Sequence, residues 1–381
     1  MKLALRLCRY VMSILCETDL GVVISHKTFI NKIYERVYNG EGKECSLWIN
    51  SSLFNINSPF VNSKSKSRKR GHHSLASESS VLLKEIEKVQ SSLPIILAEA
   101  QKLGYLVEYI SSSQEFKRNE EARKTADNFY QESVTWQGKF FHGGNNSDRA
   151  IIKCIENENY VIPAHCAFFS YNALDIVKKL DILKNKFDLI LLDPPWWNKY
   201  IRRKKAKCAE GSYQMMYNED LKKIPIESLL VPGSLIAVWC TNSPTHLNTL
   251  IDDIFPSWGV EYVAKWFWVK VTQLGEPVCS FSDPPGKQPF EQIIFGCNLK
   301  GSRKYPLPED GKLIVSVPSA IHSHKPPLSE VLSPYLGPQP QCLELFARYL
   351  LPNWTSWGYE VLKLQRMSLY CPSNEQEDDS Q

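Results

Sequence analysis

The run Phe187-Asp188-Leu189-Ile190-Leu191-Leu192 is followed at once by Asp193-Pro194-Pro195-Trp196, and this junction constrains the fold more than any other stretch. Six residues with almost no polar interruption are too few for a helix and lack the alternation of a half-exposed strand. They read as a strand buried on both faces, the kind found in parallel sheets. Two prolines then end the strand, fix φ and remove two backbone donors. Asp193 is thereby held at the strand mouth, where open α/β sheets bind ligands.

From about residue 150 onward the pattern repeats. Strands are expected at Phe187–Leu192, Leu235–Cys240, Val260–Lys270, Gln292–Cys297, Leu313–Val317 and Cys342–Phe346, and helices at Asn218–Lys223, Thr245–Phe255 and Leu328–Tyr335. Buried strands alternating with helices argue an α/β, doubly wound sheet covered on both faces. The strands near 260 and 292, joined by a Gly/Pro-rich loop, suit an antiparallel edge pair. Residues 1–150 have a different texture, more polar and serine-rich, and read as a helical, partly disordered N-terminal region. Leu82, Leu83, Ile86, Val89, Leu93, Ile96 and Leu97 recur at helical spacing over Ser80 to Leu106, with a break expected near Pro94. A second helix is expected over Glu115 to Tyr130. Residues 58–80 carry Lys66-Ser67-Arg68-Lys69-Arg70 among serines and read as a basic linker, suited to nuclear import or phosphate contact. The division is thus 1–150, 151–372, and an acidic disordered tail at 373–381.

Bulk composition decides little about partners. Forty-five Lys and Arg against 41 Asp and Glu leave a formal charge of +4, so only a local patch can argue for a polyanion. Eleven cysteines without a C-x-x-C pair exclude the zinc-ribbon spacing and a paired disulfide framework, and point to a reducing compartment. No metal site is expected, and no run is long enough to span a bilayer as a helix. Met1 to Cys16 is apolar with Lys2, Arg6 and Arg9 on one helical face, as in a mitochondrial presequence or a short amphipathic helix. Neither a G-x-G-x-x-G turn nor a P-loop occurs, which argues against NAD or ATP held by the usual motifs.

The chemistry that fits Asp193-Pro194-Pro195-Trp196 is a grip on an exocyclic nucleobase amine. Such an amine is a poor nucleophile because its lone pair is delocalised into the ring. A carboxylate oxygen of Asp193 and the carbonyl of Pro194 can each accept one of its hydrogens and orient it. Trp196 is expected to offer a flat stacking face. The following segment holds Trp197, Arg202, Arg203, Lys204 and Lys205, a dense basic patch with interleaved aromatics that suits phosphate contact and base stacking beside a site. The bland alternative is a rigid strand-to-helix turn followed by a solvated loop.

The tetrad has company in order along the chain: Ile224-Pro225-Ile226, Trp268-Val269-Lys270, Lys287-Gln288-Pro289-Phe290-Glu291, His322-Ser323-His324-Lys325-Pro326-Pro327-Leu328, Leu343-Glu344-Leu345-Phe346-Ala347-Arg348 and Pro352-Asn353-Trp354-Thr355-Ser356-Trp357-Gly358. As a set these resemble the S-adenosylmethionine-dependent adenine-N6 methyltransferases. Together with the early Thr28-Phe29-Ile30-Asn31-Lys32-Ile33 they resemble the methyltransferase-like protein 4 branch. The resemblance covers nearly all of residues 150–368. It implies a Rossmann-like methyltransferase sheet with a helical N-terminal extension, S-adenosylmethionine as cofactor, and nucleic acid as partner and substrate. Lys325 is implied to pair with the cofactor's carboxylate, and Glu344 with ribose hydroxyls. Arg348 and Asn353 are implied to contact the ribose and its surroundings. Tyr359 stands where the family commonly has asparagine, in the same subsite. Trp197, Arg202, Arg203, Lys204, Lys205 and Lys287 are assigned to substrate. RNA is the substrate implied, in the form of small nuclear RNA with 2′-O-methylated adenosine. DNA adenine methylation and a catalytically silent binding subunit are the rivals. A nuclear location is expected, with cytoplasm or mitochondrion as alternatives; oligomeric state is left open.

Overall fold

Phe187–Leu192 is a strand in the interior of an eleven-stranded mixed sheet. The computed structural model describes residues 13–39, 42–60, 76–107, 112–132, 141–183, 185–197, 215–284, 286–301 and 303–373. In chain order the strands of this sheet are β1 Ile14–Thr18, β2 Gly21–Ile24, β3 Phe141–Asn145, β4 Cys166–Ser170, β5 Phe187–Leu192, β6 Leu230–Cys240, β7 Glu261–Lys270, β8 Phe290–Cys297, β9 Leu313–Ser316, β10 Cys342–Leu345 and β11 Trp354–Trp357. Across the sheet they run β1-β2-β9-β7-β8-β6-β5-β10-β11-β4-β3.

The core of the sheet is the parallel block β6-β5-β10-β11-β4. Residues of β5 alternate between two apolar layers. Ile190 and Leu192 pack with Ile236, Val238, Leu343 and Leu345 on one face, while Leu189 and Leu191 pack with Leu235, Ala237 and Trp239 on the other. Burial on both faces is why the run needs no polar alternation. Helical segments at Asn218–Lys222, Pro244–Ser257 and Ser329–Tyr335 lie where helical spacing places them.

Three expectations need correction. The strands near 260 and 292 (β7 and β8) are antiparallel, but they are interior. The sheet continues past β7 through β9, which runs parallel to it, and then through β2 and β1. Nor is the N-terminal region only a helical extension, since Ile14, Leu15 and Cys16 belong to an edge strand and the β1–β2 hairpin completes the main sheet. Gly21 makes this possible: a Cβ there would fall on the Leu313 carbonyl oxygen, so no other residue lets β2 approach β9 so closely. Short strands at Leu47–Ile49 and Val37–Tyr38 pair with Tyr370–Pro372 and Ala150–Ile155, which sews the N-terminal region into the rest of the chain.

The third correction concerns helix α2. Among the described residues three α-helices precede β3: α1 His26–Ile33, α2 Ala76–Lys102 and α3 Ser112–Glu132. α2 runs straight through Pro94, where a break is expected. Pro94 and Gln90 face solvent, so the carbonyl that loses its partner lies on the hydrated side. The opposite stripe, Leu82, Ile86, Val89, Leu93, Ile96 and Ala100, stays packed on Val23, Phe267, Val269 and Val315. That continuous apolar contact outweighs the roughly 3 kcal/mol that proline costs inside a helix. Residues 1–12, the basic cluster at 66–70 and the acidic tail from 374 lie outside the described residues.

Candidate active site

The chain leaves β5 toward β6 on one side and leaves β10 toward β11 on the other. The C-terminal ends of β5 and β10 therefore frame a topological switch point, the place where doubly wound sheets bind ligands. Asp193 stands there, and its backbone N–H donates to the Leu345 carbonyl at 3.3 Å, tying the two strand ends together. Side chains alternate along a strand. Asp193, Trp239, Trp268, Lys270, Glu291 and Glu344 share the parity of residues in a single apolar layer, so six positions from five strands converge on one face.

Three of them, Lys270, Glu291 and Asp193, are joined with Lys325 and Arg348 in a row of alternating charge. Lys270 and Lys325 both pair with Glu291. Lys325 Nζ also lies 3.5 Å from Asp193 Oδ1, and Arg348 Nη1 pairs with Asp193 Oδ2. Beyond the strands, Arg348 Nε lies 3.4 Å from Glu360, whose other oxygen pairs with Lys363 at 2.7 Å. The Lys325 ammonium sits 5.3 Å from the Trp239 ring centroid. Burial alone would lower the pKa of Lys325, but the Asp193 and Glu291 carboxylates outweigh it and hold the pKa above its ordinary value. Burial likewise pushes Glu291 up, and the two lysines pull its carboxyl well below the usual range.

Glu344 has the opposite fate. Burial, and secondarily repulsion from Asp193, push its carboxyl up to about 8, with Arg348 opposing. Its Oε2 is buried without a hydrogen-bond partner, and so is the hydroxyl of Ser356, its cross-strand neighbour in β11. Two unsatisfied polar groups side by side at a strand end are costly unless something binds there. Gly358 closes the end of β11, where a Cβ would strike the backbone of Phe346 and Ala347. The ends of β10 and β11 are thus bare backbone flanked by polar groups, beside the cleft over Asp193 rather than among the residues that line it.

A cleft of about 1070 Å³ opens over this row. Asp193, Pro194, Pro195, Trp196, Lys287, Lys325 and Arg348, all singled out from sequence, line it, and Phe60 and Leu82 of the N-terminal region complete its wall. Other sequence assignments need correction. Trp196 does not offer an open stacking face: it is 8 % exposed, its indole N–H donates to the Trp239 carbonyl at 2.7 Å, and it anchors the loop. The Pro194 carbonyl already accepts the Trp196 N–H at 2.8 Å, which leaves one lone pair for a ligand. Asn353 precedes β11, and since β11 runs parallel to β10 it lies at the N-terminal edge of the sheet, where its N–H reaches the Ala164 carbonyl. It stands at the wrong end for a ligand at Asp193. Tyr359 follows Gly358 at the correct edge and is 41 % exposed. Trp197 is half-buried at the rim. Arg202, Arg203, Lys204 and Lys205 lie outside the described residues.

Sequence reasoning passed over Lys270 and Glu291 as site residues, although each ends a segment of the ordered set. The signal was a charge on the inward parity at a strand terminus, where only pairing makes burial affordable. Among the described residues no group of three His, Cys, Asp or Glu side chains is placed to hold a metal ion, and no helix is long and apolar enough to cross a membrane.

Residues 187–360, which hold the switch point and its Asp-Pro-Pro-Trp, match the MT-A70 family model. The match spans a little less than half of the chain. Among its relatives is the N(6)-adenine-specific methyltransferase METTL4 of Homo sapiens, 39 % identical over 247 residues, 62 % of this chain and 51 % of the relative. The resemblance to that branch, read from the ordered motifs, therefore holds. Two others are the N6-methyladenosine RNA methyltransferase MTA1 of Pyricularia oryzae, 37 % identical over 48 % of this chain and 49 % of the relative, and the DNA N6-methyl methyltransferase of Caenorhabditis elegans, 37 % identical over 56 % of each. The chain spans about half the length of the METTL4 relatives it matches.

Proposed function

We propose that the protein transfers a methyl group from S-adenosylmethionine to N6 of adenine in nucleic acid. One observation carries this reading: the Asp193 carboxylate and the free lone pair of Pro194 stand together at the switch point, on the floor of a cleft large enough for a nucleobase and a cofactor.

The donor set fits that cofactor. Lys325 has three N–H donors, of which one goes to Glu291 while Asp193 lies 3.5 Å away, so a donor remains to meet an α-carboxylate. Glu344 and Ser356 have the unsatisfied atoms that ribose hydroxyls would complete. When bound, the cofactor supplies an electrophilic methyl group. The chain's part is to place the amine: Asp193 and the Pro194 carbonyl accept its two hydrogens, which draws the nitrogen toward a tetrahedral, more nucleophilic shape. The nitrogen becomes acidic as it is methylated and sheds its proton readily, so no strong general base is needed. Within a duplex N6 is paired and stacked, so the base must come from a single strand or be extruded.

Within this reading the resemblance favours RNA, specifically small nuclear RNA carrying 2′-O-methyladenosine. The intact tetrad and Lys325 count against a silent subunit. The test is mass spectrometry of nucleosides after incubating the protein and cofactor with RNA and DNA pools. N6-methylated adenine should appear in RNA, and Asp193→Ala should lower its rate of formation at least about a hundredfold. Methylation confined to DNA would replace the RNA substrate. Its absence from both pools would defeat the enzyme reading.

A further inference from the structure

Two chain segments meet at the rim of the cleft, on either side of residues 198–214. Met216 N–H donates to the Pro195 carbonyl at 2.9 Å, forming a parallel bridge between Trp196 and Met216. His246 packs against the Trp196 indole with centroids 5.1 Å apart. Its Nε2 lies 3.0 Å from the Trp197 carbonyl oxygen and its Nδ1 3.1 Å from Asn218 Oδ1, so one imidazole ties both segments. Between these ties Trp197 and Tyr217 stack, with centroids 6.4 Å apart and planes 22° from parallel. Tyr217 is 62 % exposed.

A tyrosine so exposed, yet fixed by its neighbours, is unusual, because loose aromatic rings on a surface normally fold back onto apolar ground. Here the ring orientation is set in advance by Trp197 on one side and by the backbone bridge at Met216. Tyr217 keeps most of its surface accessible while paired with Trp197. Trp197 follows the cleft-lining Trp196, and consecutive Cα atoms are about 3.8 Å apart, so the pair begins one residue from the cleft. In sequence the two rings are joined by a segment bearing Arg202, Arg203, Lys204, Lys205 and Lys207, which favours a polyanion as the visitor.

We propose that Trp197 and Tyr217 form a stacking platform for the nucleobase adjacent to the one methylated, so that the substrate is unpaired on at least that side. This rests on the adenine-in-nucleic-acid reading above and extends it to the neighbouring nucleotide. A platform of this kind tolerates any base, since every base has a π-face. It therefore confers strandedness rather than sequence preference at that position.

The test is direct binding of the full chain to short labelled single-stranded oligonucleotides with one adenosine, measured by fluorescence anisotropy. Each neighbour of the adenosine is either natural or abasic. Tyr217→Ala should weaken binding of the natural oligonucleotide about tenfold, the scale of one stacked base. It should cost nothing further when the neighbour on the platform side is abasic. Tyr217→Phe keeps the ring and should bind like the parent. In turnover the loss should appear in KM for the oligonucleotide, with kcat and the KM for cofactor unchanged. Equal losses on natural and abasic oligonucleotides, or none on either, would overturn the platform. A parent protein that shows the coupling but methylates nothing would instead defeat the functional reading and leave the platform standing.

Discussion

At the scale of single residues, two carboxyls at neighbouring strand ends meet different surroundings. Asp193 is met by two cations, whereas Glu344 is buried with an oxygen unsatisfied and a carboxyl pushed up to about 8. Near neutral pH Glu344 is therefore largely a neutral acid, able to donate as well as accept a hydrogen bond. This has a consequence for stability. A carboxyl whose folded pKa is raised binds its proton more tightly in the native state, so the native state loses ground as pH climbs from the unfolded value near 4.5 to the folded value near 8. Glu344→Gln cannot ionise and should abolish that loss. The difference in melting temperature between variant and parent should thus grow in the variant's favour across this window and level off above it. A constant difference at all pH values would show that Glu344 ionises as freely folded as unfolded. That a carboxyl ends β10 was legible from sequence. That its pKa is raised was not, because the shift comes first from burial and then from Asp193, against the pull of Arg348, and all three depend on distant parts of the chain.

At the scale of elements, the N-terminal helices do more than cover the sheet. Tyr130 of α3 accepts a hydrogen bond from the His322 N–H at 2.7 Å, three residues before Lys325. Lys363, which pairs with Glu360 and so extends the charged row to Arg348, lies 6.0 Å from the Tyr130 ring centroid. α3 thus braces the loop that carries Lys325. Tyr130→Phe removes the acceptor and keeps the ring. The expected cost is about 1 kcal/mol of stability, seen as a small fall in melting temperature, with a severalfold rise in the KM for cofactor and kcat held. A fall in kcat with cofactor KM intact would place the effect elsewhere. Helical periodicity was enough to find α2 and α3, since an apolar stripe at three- and four-residue spacing is a local property. Which loop a helix braces is not local. Pro94 shows the same limit from the other side: its local signal to break α2 is real, and is overridden by packing on β2, β7 and β9 that no window of sequence contains.

At the scale of the whole molecule, the order of strands was the least legible feature. The central strand, its flanking helices and the tetrad were all readable because each is written in a few consecutive residues. The β1–β2 hairpin was not, because its partner β9 lies nearly three hundred residues away and the sign of that partnership is a glycine at 21 with no side chain to notice. The region matching the MT-A70 family, 187–360, contains β5 to β11 but neither β1–β4 nor the helices before them. Cut there, β9 would lose β2 and β11 would lose β4, which leaves two unpaired edges of four residues each. The apolar layer that α2 covers, including Phe267, Val269 and Val315, would face water. We therefore expect a chain of residues 187–360 to aggregate, or to unfold without a cooperative transition, while residues 13–373 melt as one unit. Size-exclusion chromatography and urea unfolding of the two chains decide it. A soluble 187–360 monomer with a sharp transition would mean that the N-terminal strands decorate the sheet rather than complete it. It would also mean that Phe60 and Leu82 are dispensable to the wall of the cleft.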